Sequence, residues 1–171
     1  MDLPRLLRTP LPRSISALRQ DLKREAKSRA NNIITASPRW DWFKEFETDY
    51  GFHNYHKTVE KLDRHKASLL VKIRTKHIPL NDYLYKRKVI QTNVCQQCQR
   101  GARESLSHFL FDCTKYDRIR NEMWTKIGNR TDTLEVLLSS QEKTSAMIEY
   151  VDKTGRFPRR RNTLQHRDEA T

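Results

Sequence analysis

The sequence predicts an all-α protein, a small helical domain stapled near its middle and flanked by disordered termini. Three observations predict it. Apolar residues recur at three- and four-residue steps along several stretches, the spacing that gathers them on one helix face. Glycine and proline are scarce, 4 and 6 in 171 residues, and fall between those stretches rather than within them. All three cysteines lie within 95–113, C-Q-Q-C-Q-R-G-A-R-E-S-L-S-H-F-L-F-D-C, with one histidine completing a C-x2-C-x9-H-x4-C frame.

Residues 1–13 carry three prolines and read as an extended lead-in; the prolines argue against a transit-peptide helix despite the leucines and arginines. A helix is predicted over 14–36, with Leu18, Leu22, Ala26, Ala30 and Ile33 as its apolar stripe. Ser37-Pro38 has the form of an N-cap followed by proline at the first helical position. In the helix expected after it, Trp40, Phe43 and Phe46 share a face and alternate with acids, which favours core or partner packing over stacking on bases. Gly51 ends that helix and 51–56 is expected to be a loop, with His53 and His56 as loop histidines. A long helix is predicted over 58–76, burying Leu62, Leu69, Leu70 and Ile73. Pro79 stops it, and a short helix starts at Asn81 or Asp82. After the cysteine stretch three more helices are expected: 115–127 closed by Gly128, a short one opening at Asp132 or Thr133, and 143–153 closed by Gly155. The chain thus divides into the lead-in 1–13, a helical linker region 14–56, a basic helical domain 57–155, and a disordered basic tail 156–171.

The cysteine stretch reads chemically as a metal site. Two thiolates two residues apart meet on one ion across a tight turn, and a histidine and a third thiolate complete a tetrahedron. Cys95, Cys98, His108 and Cys113 are the predicted ligands of a structural Zn²⁺. The competing readings are three buried reduced cysteines beside an ordinary histidine, or a redox C-x-x-C, which lacks the βαβ setting it needs. Four protein ligands leave no position for a catalytic water, and no glutamate stands in the H-x-E relation of the zinc deaminases. One consequence is geometric. In a regular α-helix residues five apart lie about 140° apart around the axis, so the helix carrying His108 must end or distort before Cys113.

Charge supplies the rest. Lys and Arg total 34 against 21 acids, a formal +13, which favours polyanionic partners, RNA or DNA first. Between residues 57 and 88 ten Lys/Arg face three acids. Lys61, Arg64, Lys72, Arg74, Lys76, Lys86, Arg87 and Lys88 are the candidate phosphate contacts; the alternative for each is a solvated surface cation. An odd number of cysteines beside a metal frame points to a reducing compartment, nuclear or cytoplasmic rather than secreted. No apolar run reaches membrane-spanning length.

Several segments together resemble the C-terminal zinc-binding region of fungal non-LTR (LINE-type) retrotransposon reverse transcriptases. They are L-L-V-K-I-R-T-K-H at 69–77, similar to that family's LRTGH segment, then P-L-N-D-Y-L, C-Q-Q-C, E-S-L-S-H-F-L-F-D-C, K-Y-D-R-I-R and a late T-G-R-F at 154–157. Upstream, T-P-L-P-R-S-I-S-A-L-R-Q resembles the linker that follows the RNase H domain in such polyproteins. The H-x4-C ending also matches the retroviral zinc knuckle, whose middle spacing is five residues shorter. Lys76 stands where the family's segment has glycine, a departure that bears on the turn there. The resemblance implies a nucleic-acid-binding accessory segment, whose polymerase and RNase H partners would lie upstream. The chain has no Y/F-x-D-D-like polymerase motif, no recognisable RNase H carboxylate set, and no catalytic centre of its own that can be read from the residues. The alternatives are a zinc-stabilised protein-interaction domain, or a remnant that keeps RNA-directed DNA polymerase or RNase H activity.

Overall fold

A computed structural model describes residues 14–47 and 53–159, and the expected lead-in 1–13 lies outside them. The chain divides into two units, one holding described residues 14–44, the other 45–47 and 53–159. The described residues are helical and include no strand; the only pairing of extended backbone is one isolated bridge, Val94 with Arg103.

In the first unit α1 spans Ile15–Thr35, close to the expected 14–36. Ser14 is its N-cap, extended, with Oγ accepting the Ala17 N–H at 3.1 Å. Ion pairs one turn apart, Arg24 with Asp21 and Arg29 with Glu25, support the exposed helix. The stripe forms, yet α1 has no buried residue. The next helix is shorter than the sequence suggests: α2 is only Trp40–Phe43, and its N-cap is Arg39 rather than Ser37. Ser37 opens a turn instead, its carbonyl accepting the Trp40 N–H at 2.8 Å. The expected face of Trp40, Phe43 and Phe46 is divided, because residues 45–47 belong to the second unit, where Phe46 and Glu47 are buried.

The second unit is built around α8, Gln141–Lys153, against which α3, α4, α6 and α7 pack. Its fully buried residues Met147, Ile148, Tyr150 and Val151 recur at helical spacing. α7, Leu134–Leu138, buries Leu134, Leu137 and Leu138, and α6, Asp117–Ile127, ends at Gly128 with φ +83. Two expectations fail earlier in the chain. His53 and His56 lie in a helix, α3 (His53–Val59), not a loop; packing on α8 overrides the polar composition. The helix expected over 58–76 is broken, since α4 is Arg64–Arg74 and Asp63 is its N-cap, accepting the Lys66 N–H at 3.0 Å. An aspartate that captures a backbone donor starts a helix more readily than it continues one.

Both α4 and α5 (Asn81–Lys86) end in the same way. The His77 N–H reaches the Lys72 carbonyl and the Lys76 N–H that of Ile73; Val89 and Lys88 repeat the pattern on Leu84 and Tyr85. This is a Schellman cap, whose pivot residue takes the left-handed conformation that glycine adopts most easily. Here the pivots are lysines, Lys76 at φ +58 and Lys88 at φ +59. The turn implied by the resemblance is therefore made despite the missing glycine.

Residues 156–159, expected in the disordered tail, are among the described residues. Arg156 and Phe157 are half-buried, and the Phe157 ring meets Phe109 edge-on at 5.6 Å. The remainder of the tail, 160–171, lies outside the described residues. Among the described residues no helix is long and apolar enough to cross a membrane.

Candidate metal centre

The first two sulfur atoms come from a short hairpin. Cys95 donates its N–H to the Ala102 carbonyl at 2.7 Å, Glu104 donates to Asn93 at 2.8 Å, and the Val94–Arg103 bridge lies between. Gly101 makes the return with φ +63, a conformation an L side chain resists. Cys98 lies inside the turn, and the Arg100 N–H bonded to its sulfur holds that thiol below the ordinary cysteine value.

The other two come from a distorted helical turn. Ser105 opens it, its Oγ accepting the His108 N–H at 3.1 Å. From His108 to Asp112 the backbone is π-helical, and the Cys113 N–H closes an i→i+5 bond on the His108 carbonyl at 2.7 Å. Five residues then overshoot one turn far less than in an α-helix, which brings Cys113 back toward the side of His108. Cys113 itself is extended, with ψ 115. The helix distorts and stops before Cys113, as the spacing requires.

A π-turn leaves carbonyls without helical partners, and two side chains supply donors. Tyr150 Oη of α8 donates to Phe109 O at 2.7 Å. Arg120 of α6, buried, donates from Nε to Leu110 O at 2.8 Å and from Nη2 to Cys113 O at 2.7 Å. Burial pushes the Tyr150 phenol far above its ordinary pKa, so it stays a donor.

These elements bring the four predicted ligands together. Cys95, Cys98, His108 and Cys113 are all buried, and their ligand atoms lie within 4.8 Å of one another. Cys95 Sγ is 3.8 Å from Cys113 Sγ, and Cys98 Sγ is 3.4 Å from His108 Nε2. No disulfide is present, and 3.8 Å is far beyond a bonded S–S distance of about 2.05 Å. Burial lowers the His108 pKa, which keeps a nitrogen lone pair available, and pushes the Cys113 thiol up to about 12. The set can hold a metal ion, with three sulfurs and one nitrogen as donors.

Behind the hairpin is a clasp that no local pattern in the sequence announces. Glu104 is 1% exposed. Its carboxylate accepts the Asn81 N–H at the start of α5 and both Arg156 Nε and Nη2, each at 2.9 Å. Asn81 Nδ2 donates to the Val94 carbonyl at 2.8 Å. One carboxylate thus ties the hairpin, α5 and the T-G-R-F segment together. The late T-G-R-F motif was the available signal, but nothing near Glu104 in the chain marks it as the partner.

The eight candidate phosphate contacts separate. Lys61, Arg64, Lys72, Lys76, Lys86, Arg87 and Lys88 are exposed. Arg74 is not; it is 4% exposed and paired with Glu47 at 2.5 Å, with its guanidinium 4.8 Å from the Phe46 ring centre and 5.0 Å from that of Tyr55. The reason is positional. Arg74 stands one turn after Leu70, so it continues the buried stripe of α4 instead of the polar face.

Compared with family models, with curated proteins and with solved structures, the chain matches none.

Proposed function

We propose that the metal is zinc, that it is structural, and that the chain is a nucleic-acid-binding accessory segment of the kind found in fungal non-LTR retrotransposon reverse transcriptases. The four-donor cluster inside a strongly basic chain carries the reading. Zn–S bonds of about 2.3 Å and Zn–N of about 2.0–2.1 Å, arranged tetrahedrally, imply about 3.8 Å between sulfurs and about 3.5 Å between sulfur and nitrogen. Two of the six separations, 3.8 Å and 3.4 Å, match these edges, and all six lie within 4.8 Å. Four protein donors close the coordination sphere, so the ion would brace the fold rather than activate water. Seven exposed cations on and beside α4 and α5 would meet the phosphates.

Two measurements test it. The purified protein should carry one equivalent of zinc, and Cys98→Ser should lose most of it. Affinity for an RNA or DNA oligomer should fall steeply as salt rises. A metal-free but folded protein would overturn the zinc reading. A flat salt dependence, or no binding at low salt, would overturn the nucleic-acid reading and favour a protein-interaction domain.

A further inference from the structure

Three observations converge on the C-terminal caps of α4 and α5. The first is a cluster of flat groups on Tyr83, called the ladder below: the His77 ring lies 5.6 Å from that of Tyr83, tilted by 58°, and the Arg87 guanidinium lies 5.4 Å from the Tyr83 centroid. Tyr83 is half-buried and anchors the ladder, while His77 and Arg87 are exposed. The second is backbone strain. Among the described residues only Lys76 and Lys88 are non-glycine residues with positive φ, and each adjoins one end of the ladder in sequence. Strained residues held in place by their surroundings concentrate at functional sites. The third is charge: Lys76, Lys86, Arg87 and Lys88 are exposed, Lys86 being paired with Asp82 at 2.9 Å.

We infer that Lys76, His77, Tyr83, Arg87 and Lys88 form a subsite for single-stranded nucleic acid, an unpaired base stacking on the ladder while the two lysines meet flanking phosphates. A flat ring or guanidinium accepts the π-face of any base, and a base is available for stacking only when it is unpaired. A duplex offers phosphates alone and would leave the ladder unused. The choice of lysine at both caps follows from the same role, since glycine would remove the strain and the cation together. This inference rests on the nucleic-acid reading above and names the strand it selects.

The test uses the full metal-loaded chain and four oligomers of about twelve nucleotides: oligo(dT), oligo(U), an abasic strand with the same number of phosphates, and a duplex. At least one base-bearing single strand should bind more tightly than the abasic strand and the duplex. His77→Ala and Arg87→Lys, the second keeping the charge but losing the flat guanidinium, should each weaken that strand by about tenfold and leave the abasic strand unchanged. Both positions are exposed, so neither change opens the core. Lys76→Gly and Lys88→Gly should weaken every strand and reduce the salt slope by about 0.7 each, without lowering the melting temperature. Equal affinity for base-bearing and abasic strands would sink the subsite while leaving the nucleic-acid reading intact, as would wild-type binding by His77→Ala and Arg87→Lys. Failure to bind any of the four at low salt would remove the nucleic-acid reading and this inference with it.

Discussion

At Lys76 an L side chain occupies a left-handed backbone position that costs roughly 1 kcal/mol relative to the right-handed one. Lys76→Gly should therefore raise the unfolding free energy by about 0.5–1 kcal/mol in urea titrations, and Lys76→Val, β-branched at the same φ, should lower it by a similar amount or more. If the glycine variant is no more stable than the parent, the cap is not strained. Asp63 gives a pH dependence. Its carboxyl is held below the ordinary value, chiefly by the Lys66 N–H of the α4 cap and then by Arg159 at 2.9 Å. A lowered carboxylate pKa contributes stability above its unfolded value, and that contribution is lost as pH falls through the folded one. The stability gap between the parent and Asp63→Asn should thus be full at neutral pH and shrink steadily below about pH 4, the range in which carboxylates titrate. Comparing the two proteins at each pH cancels any effect of acid on the Cys95–Cys98–His108–Cys113 cluster, which both share.

The π-turn from His108 to Asp112 depends on α6 and α8 for its carbonyl partners. Arg120→Met keeps much of the apolar stem but leaves the Leu110 and Cys113 carbonyls without that donor. A cost of about 2–4 kcal/mol is expected, with weaker metal retention because Cys113 loses its brace. Tyr150→Phe removes only the bond to Phe109 O and should cost about 1 kcal/mol, with metal retention nearly unchanged. Chelator competition beside denaturant titration separates the two effects. Equal metal affinity in the parent and Arg120→Met would show that α6 does not support the site. At this scale the sequence was readable where periodicity or a cap decided the outcome. α1, α6, α7 and α8 fall close to their expected spans, and the angular mismatch between His108 and Cys113 foretold a distorted helix. It was unreadable where a short polar segment folds by docking. α3 has the composition of a loop, and its packing on α8 comes from far along the chain.

Across the second unit, the Cys95–Cys98–His108–Cys113 cluster and the Glu104–Arg156 clasp both draw on the hairpin that carries Cys95, Cys98 and Glu104. Arg156→Ala would leave a nearly buried carboxylate facing only the Asn81 N–H and should destabilise the fold by about 2–4 kcal/mol, measured by thermal or denaturant melting. Glu104→Gln with Arg156→Ala should cost less than the arginine change alone, since no uncompensated charge remains; an equal or larger loss would argue against a charge-based clasp. By itself the sequence determined the helical class, most helix ends, and the four residues that meet at the candidate metal centre. Those depend on spacing over a few residues, which chain geometry converts directly into position. Only the tertiary structure decided which charged residues are structural. Arg74 meets Glu47 across 27 residues and Arg156 meets Glu104 across 52, separations over which no local pattern reports a contact. A guanidinium that will be buried looks, in sequence, the same as one that will face water.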